Sequence, residues 1–292
     1  MSSVLVTGGA GLVGTSLCRR LLDGGAKVLC VDNLVLGTQR HVDENAKNPA
    51  FTFERWDVSR PEWFAPLKGR KFDAIFHLAA NSDISLGHRQ PEMDMNRTFS
   101  TTFETLQAAR ALGVKNFIFS STSAVYGGRA PLPTPEECGE MHPVSVYGAG
   151  KLAAEAFISA FVENYGMAAW GYRFGNVVGR RLTHGVIYDF TKRLTADPTR
   201  LEVLGNGQQH KTYIDVEDCV EGILRGFEKS AAGKSHHERF QVFNLSTEGA
   251  TTVRFIAEES NRVVAGGRAQ IKYGEGAIGW VGDVPKTSHR VT

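Results

Sequence analysis

The chain predicts an α/β protein built on a doubly wound parallel sheet, with a small lobe supplied by its C-terminal part. Three observations predict it: short apolar, β-branched runs alternate with helical patterns, a glycine-rich turn follows the first run, and the pattern changes after Asn176. Continuous apolar runs separated by amphipathic helices mark parallel strands covered on both faces.

In order, the strands are read at Val4-Leu-Val6, Val28-Leu-Cys-Val31, residues 51–56, Ala74-Ile-Phe-His-Leu78 and Phe117-Ile-Phe-Ser120. Long helices are predicted from about residue 94 to 112 and from about 146 to 165. Their apolar positions include Phe99, Phe103, Leu106, Leu152, Ala156 and Phe161. Such a stripe either packs on the sheet or, with surface left over, pairs two subunits through a four-helix contact. Beyond Asn176, Gly179-Arg-Arg-Leu-Thr-His-Gly185 reads as a polar loop, Leu201-Glu-Val-Leu204 as a short strand and Gly205-Asn-Gly207 as a turn. Residues 231–238 read as a mobile surface loop.

With 292 residues, 42% hydrophobic content and a net charge of +2, the chain has material for one large domain or two. Basic and acidic residues nearly balance, and no basic run is interleaved with aromatics, which argues against nucleic-acid and membrane-surface partners. A small molecule is the expected partner. Cys18, Cys30, Cys138 and Cys219 form no C-x-x-C pair, and the first two fall in core elements, as reduced thiols of a cytoplasmic protein would. Met1-Ser-Ser-Val runs directly into a strand, and no apolar run reaches about 18 residues, so neither export nor membrane spanning is expected. His77 and the pair His236-His237 lack partners at ligand spacing, and no metal is expected.

Chemistry enters at three places. Thr7-Gly-Gly-Ala-Gly-Leu-Val-Gly14 contains Gly8-x-x-Gly11-x-x-Gly14, overlapped by Gly9-x-Gly11-x-x-Gly14. A glycine-rich turn between strand and helix lets backbone approach a pyrophosphate, whose charge meets the helix N-terminus. The next strand ends at Asp32, where a carboxylate accepts from a ribose 2′-hydroxyl and repels a 2′-phosphate, favouring NAD over NADP. Tyr147 and Lys151 stand four apart, on one face of a helix, where the ammonium favours the ionised phenol. Finally, Ser120-Ser-Thr-Ser-Ala-Val-Tyr126 puts hydroxyls at the carboxyl end of a parallel strand, facing the crevice where ligands bind; an ST-turn is the competing account of Ser120 or Ser123.

Other ordered motifs accompany these: Val31-Asp-Asn-Leu34, Trp56-Asp-Val58, Phe76-His-Leu-Ala-Ala80, Asn96, Ser121-Thr-Ser-Ala-Val-Tyr-Gly127, Arg173-Phe-Gly-Asn176, Gly205-Asn-Gly-Gln-Gln209 and Tyr213-Ile-Asp-Val-Glu-Asp218. From Val4 to about Asp283 the chain resembles the extended short-chain dehydrogenase/reductases, in their NAD-dependent nucleotide-sugar epimerase/dehydratase branch, and most closely the UDP-glucose (UDP-galactose) 4-epimerase type. The resemblance implies a Rossmann-type NAD-binding domain over residues 1–175, completed by strands from about 210–245, and a substrate lobe mainly over 176–292. A cytoplasmic homodimer is expected from the cysteine pattern and the apolar helix stripes. Gly8, Gly11 and Gly14, with Leu12 and Val13, would hold the pyrophosphate, Asp32 and Asn33 the adenosine ribose, and Asp57 and Val58 the adenine. Leu78, Ala79 and Ala80 would line the dinucleotide path; Asn96, Ser120 and Phe174 would flank the cofactor, and Lys151 would bond the nicotinamide ribose. Thr122 falls at the catalytic Ser/Thr position and Asn176 at a contact to the substrate diphosphate. Ser82, Ser123, His184 and Lys211 complete the implied substrate side.

The implied reaction is 4-epimerisation through a transient 4-keto sugar. Tyr147 takes the hydroxyl proton, which requires its pKa to fall from about 10 by roughly three units, an effect of about 4 kcal/mol. The alternatives are a nucleotide-sugar dehydrogenase or 4-ketoreductase with releasable NAD(H), and a non-catalytic dinucleotide sensor. Several positions depart from the family's pattern. Ser123 and Ala124 replace the Asp-Glu of 4,6-dehydratases, which argues against dehydration. Gly150 replaces the usual Ser or Thr before the lysine, weakening the helix by up to about 1 kcal/mol. Lys211 and Trp280 stand where two arginines commonly contact the diphosphate, and Thr292 comes before the C-terminal helix the family leads one to expect. Arg180, Arg181 and His184 are candidates for the missing positive charge, and an unusual nucleotide or another activated sugar fits these departures.

Overall fold

A computed structural model describes residues 1–230 and 239–291; residues 231–238, with His236 and His237, lie outside the described residues. The first half runs β1 (Ser3–Thr7), α1 (Leu12–Asp23), β2 (Lys27–Val31), α2 (Gln39–Asn45), β3 (Phe51–Glu54), β4 (Ala74–His77), α3 (Ile84–Arg89), α4 (Pro91–Asp94), α5 (Ser100–Leu112), β5 (Asn116–Thr122) and α6 (Val146–Tyr165). The second half runs β6 (Ala168–Phe174), β7 (Asn176–Val178), α7 (Val186–Ala196), β8 (Arg200–Val203), β9 (His210–Lys211), β10 (Tyr213–Asp215), α8 (Val216–Ser230), β11 (Phe240–Leu245), β12 (Thr251–Thr252), α9 (Val253–Ala265) and β13 (Gln270–Tyr273).

Seven parallel strands form the main sheet in the order β11-β6-β5-β4-β1-β2-β3. This is the doubly wound, Rossmann-type sheet that the alternating pattern predicts. Strand residues alternate between its two faces, so each face has its own apolar layer. Leu5, Leu29, Ile75 and Phe117 pack with Leu106 of α5 and Ile158 of α6, while Val4, Val28, Phe76 and Ile118 pack with Leu17 of α1 and Ile223 of α8. The order of strand addition reverses between β1 and β4, and a crevice opens beyond their carboxyl ends.

A third apolar cluster belongs to the small lobe, where Phe190 and Leu194 of α7, Leu201 and Val203 of β8, and Ile256 of α9 meet. In this lobe β8 pairs in parallel with β13, and β9 antiparallel with β12. β7 pairs with β10 at the junction.

One predicted helix is corrected. Residues 94–112 do not form a single α-helix: α4 ends at Asp94, one π-helical turn spans Met95–Phe99, and α5 follows. Hydroxyls explain the defect, because Ser100 bonds back to the Met95 carbonyl and Thr101 shares the Arg97 and Thr98 carbonyls. Such side chains compete with the α-helical ladder and favour local irregularity. By contrast α6 spans the predicted residues, opened by the Ser145 hydroxyl accepting from Gly148 N at 3.1 Å and closed by left-handed Gly166.

All four cysteines are free. Among the described residues no helix is long and apolar enough to cross a membrane, and no His/Cys/Asp/Glu group could hold a metal.

Candidate active site

The crevice has a volume of about 990 Å³. The glycine-rich turn forms one wall. Gly8 is left-handed at φ +74°, and a Cβ there would lie 2.5 Å from Ala79 N, so strand-to-strand closeness demands glycine. A Cβ on Gly14 would meet the Gly8 carbonyl at 2.3 Å, which binds α1 tightly to the turn. Gly11, the α1 N-cap, has no side chain to block approach to the unpaired N–H groups of that helix.

Asp32 ends β2 with 9% exposure, its carboxylate accepting from Ala10 N at 3.1 Å and Leu34 N at 2.8 Å. Burial raises its pKa, against the pull of those two N–H donors. The adjoining lining residues Asn33, Val35, Leu36 and Gly37 bring no cation, so this end fits an unphosphorylated ribose. Asp57, Val58, Leu78, Ala79 and Ala80 line the crevice as well. These features fit NAD.

Tyr147 and Lys151 project from α6 into the crevice beside Ser120, Thr122 and Phe174. Lys151 is 1% exposed; its Nζ donates to the Ser120 carbonyl at 2.6 Å and lies 4.6 Å from the Phe119 ring centroid. Burial pulls its pKa down to about 7, while Glu155 and Asp94 push the other way. Burial also drives the Tyr147 pKa above its ordinary value, Asp94 adds to the rise, and a hydrogen bond from Thr122 opposes it. In the protein alone desolvation therefore dominates at Tyr147, and the lowering expected from Lys151 does not appear among the influences on it.

Residues 4–245 match the NAD dependent epimerase/dehydratase family. This chain belongs to that family, and its cofactor is NAD. The chain is similar to the UDP-glucose 4-epimerase of Mycolicibacterium smegmatis, 30% identical over 255 residues covering 86% of this chain and 79% of the relative. It is also similar to UDP-glucuronic acid decarboxylase 1 of Arabidopsis thaliana, 29% identical over 89% of this chain and 58% of that protein. A crystal structure of UDP-galactose 4-epimerase superposes with a TM-score of 0.88 at 36% identity, covering 99% of this chain and 90% of that one.

The remaining residues of this family member divide clearly. Ser82, Ser123, Asn176, His184 and Lys211 also line the crevice. Lys211, however, already donates to Asp283 Oδ1 at 2.6 Å and to the Val284 carbonyl, so its charge is matched within the protein. Trp280 stands beside that pair on the lining. The suggested replacement cations are corrected: Arg180 is exposed away from the crevice, and Arg181 bonds Glu44 at 2.7 Å and Ser16 at 3.3 Å. Arg89, Arg97 and Arg193 line the crevice instead.

Asn96 is also corrected. It is exposed and absent from the lining, because the π turn changes the helical phase and presents Arg97 and Thr101 to the crevice. Two acidic neighbours of the lysine were missed. Glu155 follows Lys151 by one helical turn, a signal available in the sequence. Asp94 comes from another helix, and no local spacing announces it.

Proposed function

We propose that the protein is a nucleotide-sugar 4-epimerase that interconverts UDP-glucose and UDP-galactose through a 4-keto sugar. The observation carrying this reading is the meeting of Tyr147, Lys151 and Thr122 in one crevice with the dinucleotide-binding turn. NAD, when bound, supplies reversible two-electron oxidation of the carbinol carbon. The chain's own residues handle the proton. Tyr147 accepts it from the sugar hydroxyl and returns it after the keto sugar has turned over. Thr122 donates to the Tyr147 oxygen and so favours the ionised phenol, while also marking where the reacting oxygen sits. Lys151, fixed by the Ser120 carbonyl, holds positive charge beneath the site.

Ser123 and Ala124 at the strand end offer no acid–base pair for water elimination, which separates this reading from dehydration. The names of the relatives support a UDP-sugar and span more than one reaction on it. We further infer a cytoplasmic homodimer. Phe157 and Tyr165 of α6 are each 40% exposed, and Phe157 stacks edge-on with Phe99 and Phe103 of the neighbouring helical segment, an apolar face suited to a second copy.

The test is a panel of UDP-, GDP-, CDP- and dTDP-sugars, followed by NMR for stereochemistry and absorbance for net cofactor reduction. UDP-glucose conversion with retained NAD and no net redox is the expected result. Accumulation of reduced cofactor in proportion to substrate would make the protein a dehydrogenase instead, and light-scattering measurement of a monomer would remove the dimer.

A further inference from the structure

We propose that Asp94 is a positioning residue whose buried carboxylate favours the protonated forms of Tyr147 and Lys151 until a cation enters the crevice. The inference rests on the assignment of Tyr147 as the base. Asp94 ends α4 with 0% exposure. Its Oδ1 accepts from Asn81 Nδ2 at 3.0 Å and from the Thr98 hydroxyl at 3.1 Å. Oδ2 is buried and has no hydrogen-bond partner among the described residues. A half-satisfied buried carboxylate is costly, and such groups concentrate where charge is used.

Two glycines make room for it. A Cβ on Gly87 would lie 1.8 Å from Asp94 Oδ2, so any side chain there would displace the carboxylate. A Cβ on Gly150 would lie 3.3 Å from Thr98 Cγ2 and 3.7 Å from the Asp94 carbonyl oxygen. The small residue immediately before Lys151 thus lets α6 close against the segment bearing Asp94. The departure at position 150 acquires a physical purpose.

The surrounding charges can be named element by element. Burial pushes the Asp94 pKa upward against its bonds from Asn81 and Thr98; of the charges, Asp83, the N-cap of α3, adds to the rise and Lys151 opposes it. Glu155 of α6 favours the Lys151 ammonium, but is itself engaged by Arg173 of β6. His77 of β4 is buried and held neutral, bonded to Thr7 and Thr102. Asp94 acts on both members of the pair, opposing the Tyr147 phenolate and favouring the Lys151 ammonium. Both influences retain protons. A positive ring entering the crevice would offset that one negative charge and so remove the part of the proton retention that Asp94 supplies.

The experiment uses cofactor-free protein carrying lysine labelled at Cε, with the Lys151 resonance assigned through K151M and its titration followed by NMR. In D94N the first proton of the pair should leave about one pH unit lower than in the parent. N81D/D94N, which returns a carboxylate to the same hydrogen-bonded pair, should move the titration back. A D94N curve that coincides with the parent's overturns the proposal, as does a shift that N81D/D94N fails to reverse. If D94N does not fold, D94S makes the same comparison. Epimerisation is measured separately: turnover with an unmoved titration sinks only this inference, and a moved titration without sugar turnover sinks only the epimerase reading.

Discussion

Glu155 grips Arg173 through two parallel contacts, Nε to Oε1 at 3.0 Å and Nη2 to Oε2 at 2.7 Å, one helical turn beyond Lys151. Both side chains are buried, with 6% and 4% exposure. The Ser121 hydroxyl donates to the same carboxylate, and Arg173 also donates to the Tyr126 oxygen at 2.9 Å. Thus the helix carrying the base is locked to the strand whose end lines the crevice. E155Q should lower stability by about 3–5 kcal/mol, the cost of leaving one partner of a buried pair uncompensated. Urea unfolding with an unchanged midpoint would refute this.

The base itself gives the second prediction. Y147F should reduce epimerisation by about a hundredfold or more while leaving bound NAD content unchanged, since the hydroxyl moves a proton without gripping the pyrophosphate. Turnover near the parent's rate would remove Tyr147 from the reaction.

Lys151 supplies a third, in which stability and activity part. Its folded pKa of about 7 lies below the ordinary value of 10.5, so between these values the unfolded chain binds more protons than the folded one. Stability contributed at this residue therefore rises with pH across that window and is least below it. K151M should abolish this slope and unfold at higher urea near pH 7, by about 1–4 kcal/mol, while losing turnover. Parallel pH–stability curves for parent and variant would contradict it.

At the cofactor end, D32A should weaken NAD binding at least about tenfold, because the carboxylate acceptor for the ribose is lost. Calorimetry on the cofactor-stripped protein measures it, and equal affinity would show that the ribose is held elsewhere.

The substrate half makes the last prediction. With Lys211 already matched by Asp283, W280R would bring a new guanidinium beside the pair and should tighten UDP binding about tenfold. Unchanged affinity would mean that the diphosphate does not pass Trp280.

Much of this was legible in the chain itself. Five of the seven strands of the main sheet, β1 to β5, are runs read directly from the sequence, and α6 begins and ends where its capping residues, Ser145 and Gly166, direct. Gly8, Asp32, Thr122, Tyr147 and Lys151 reach one crevice because motif spacing is set by strand ends and helix turns. What stayed hidden depends on competition between distant groups. The π turn at Met95–Phe99 arises from hydroxyls bonding backward, which periodicity does not register, and it displaced Asn96 from its expected place. Arg181 looked available to ligand until Glu44, far away in the chain, claimed it. The phenol's elevated pKa likewise reflects burial, which residue type alone does not convey.

β11 closes the main sheet beside β6, although small-lobe elements lie both before and after it in sequence. The polypeptide therefore crosses repeatedly between its two parts, as thread crosses a seam. Ending the chain before residue 240 would strip β6 of its outer neighbour and bare a row of backbone groups able to recruit foreign strands. Fragments cut at that junction should aggregate, and any opening of the crevice must bend several crossings in concert.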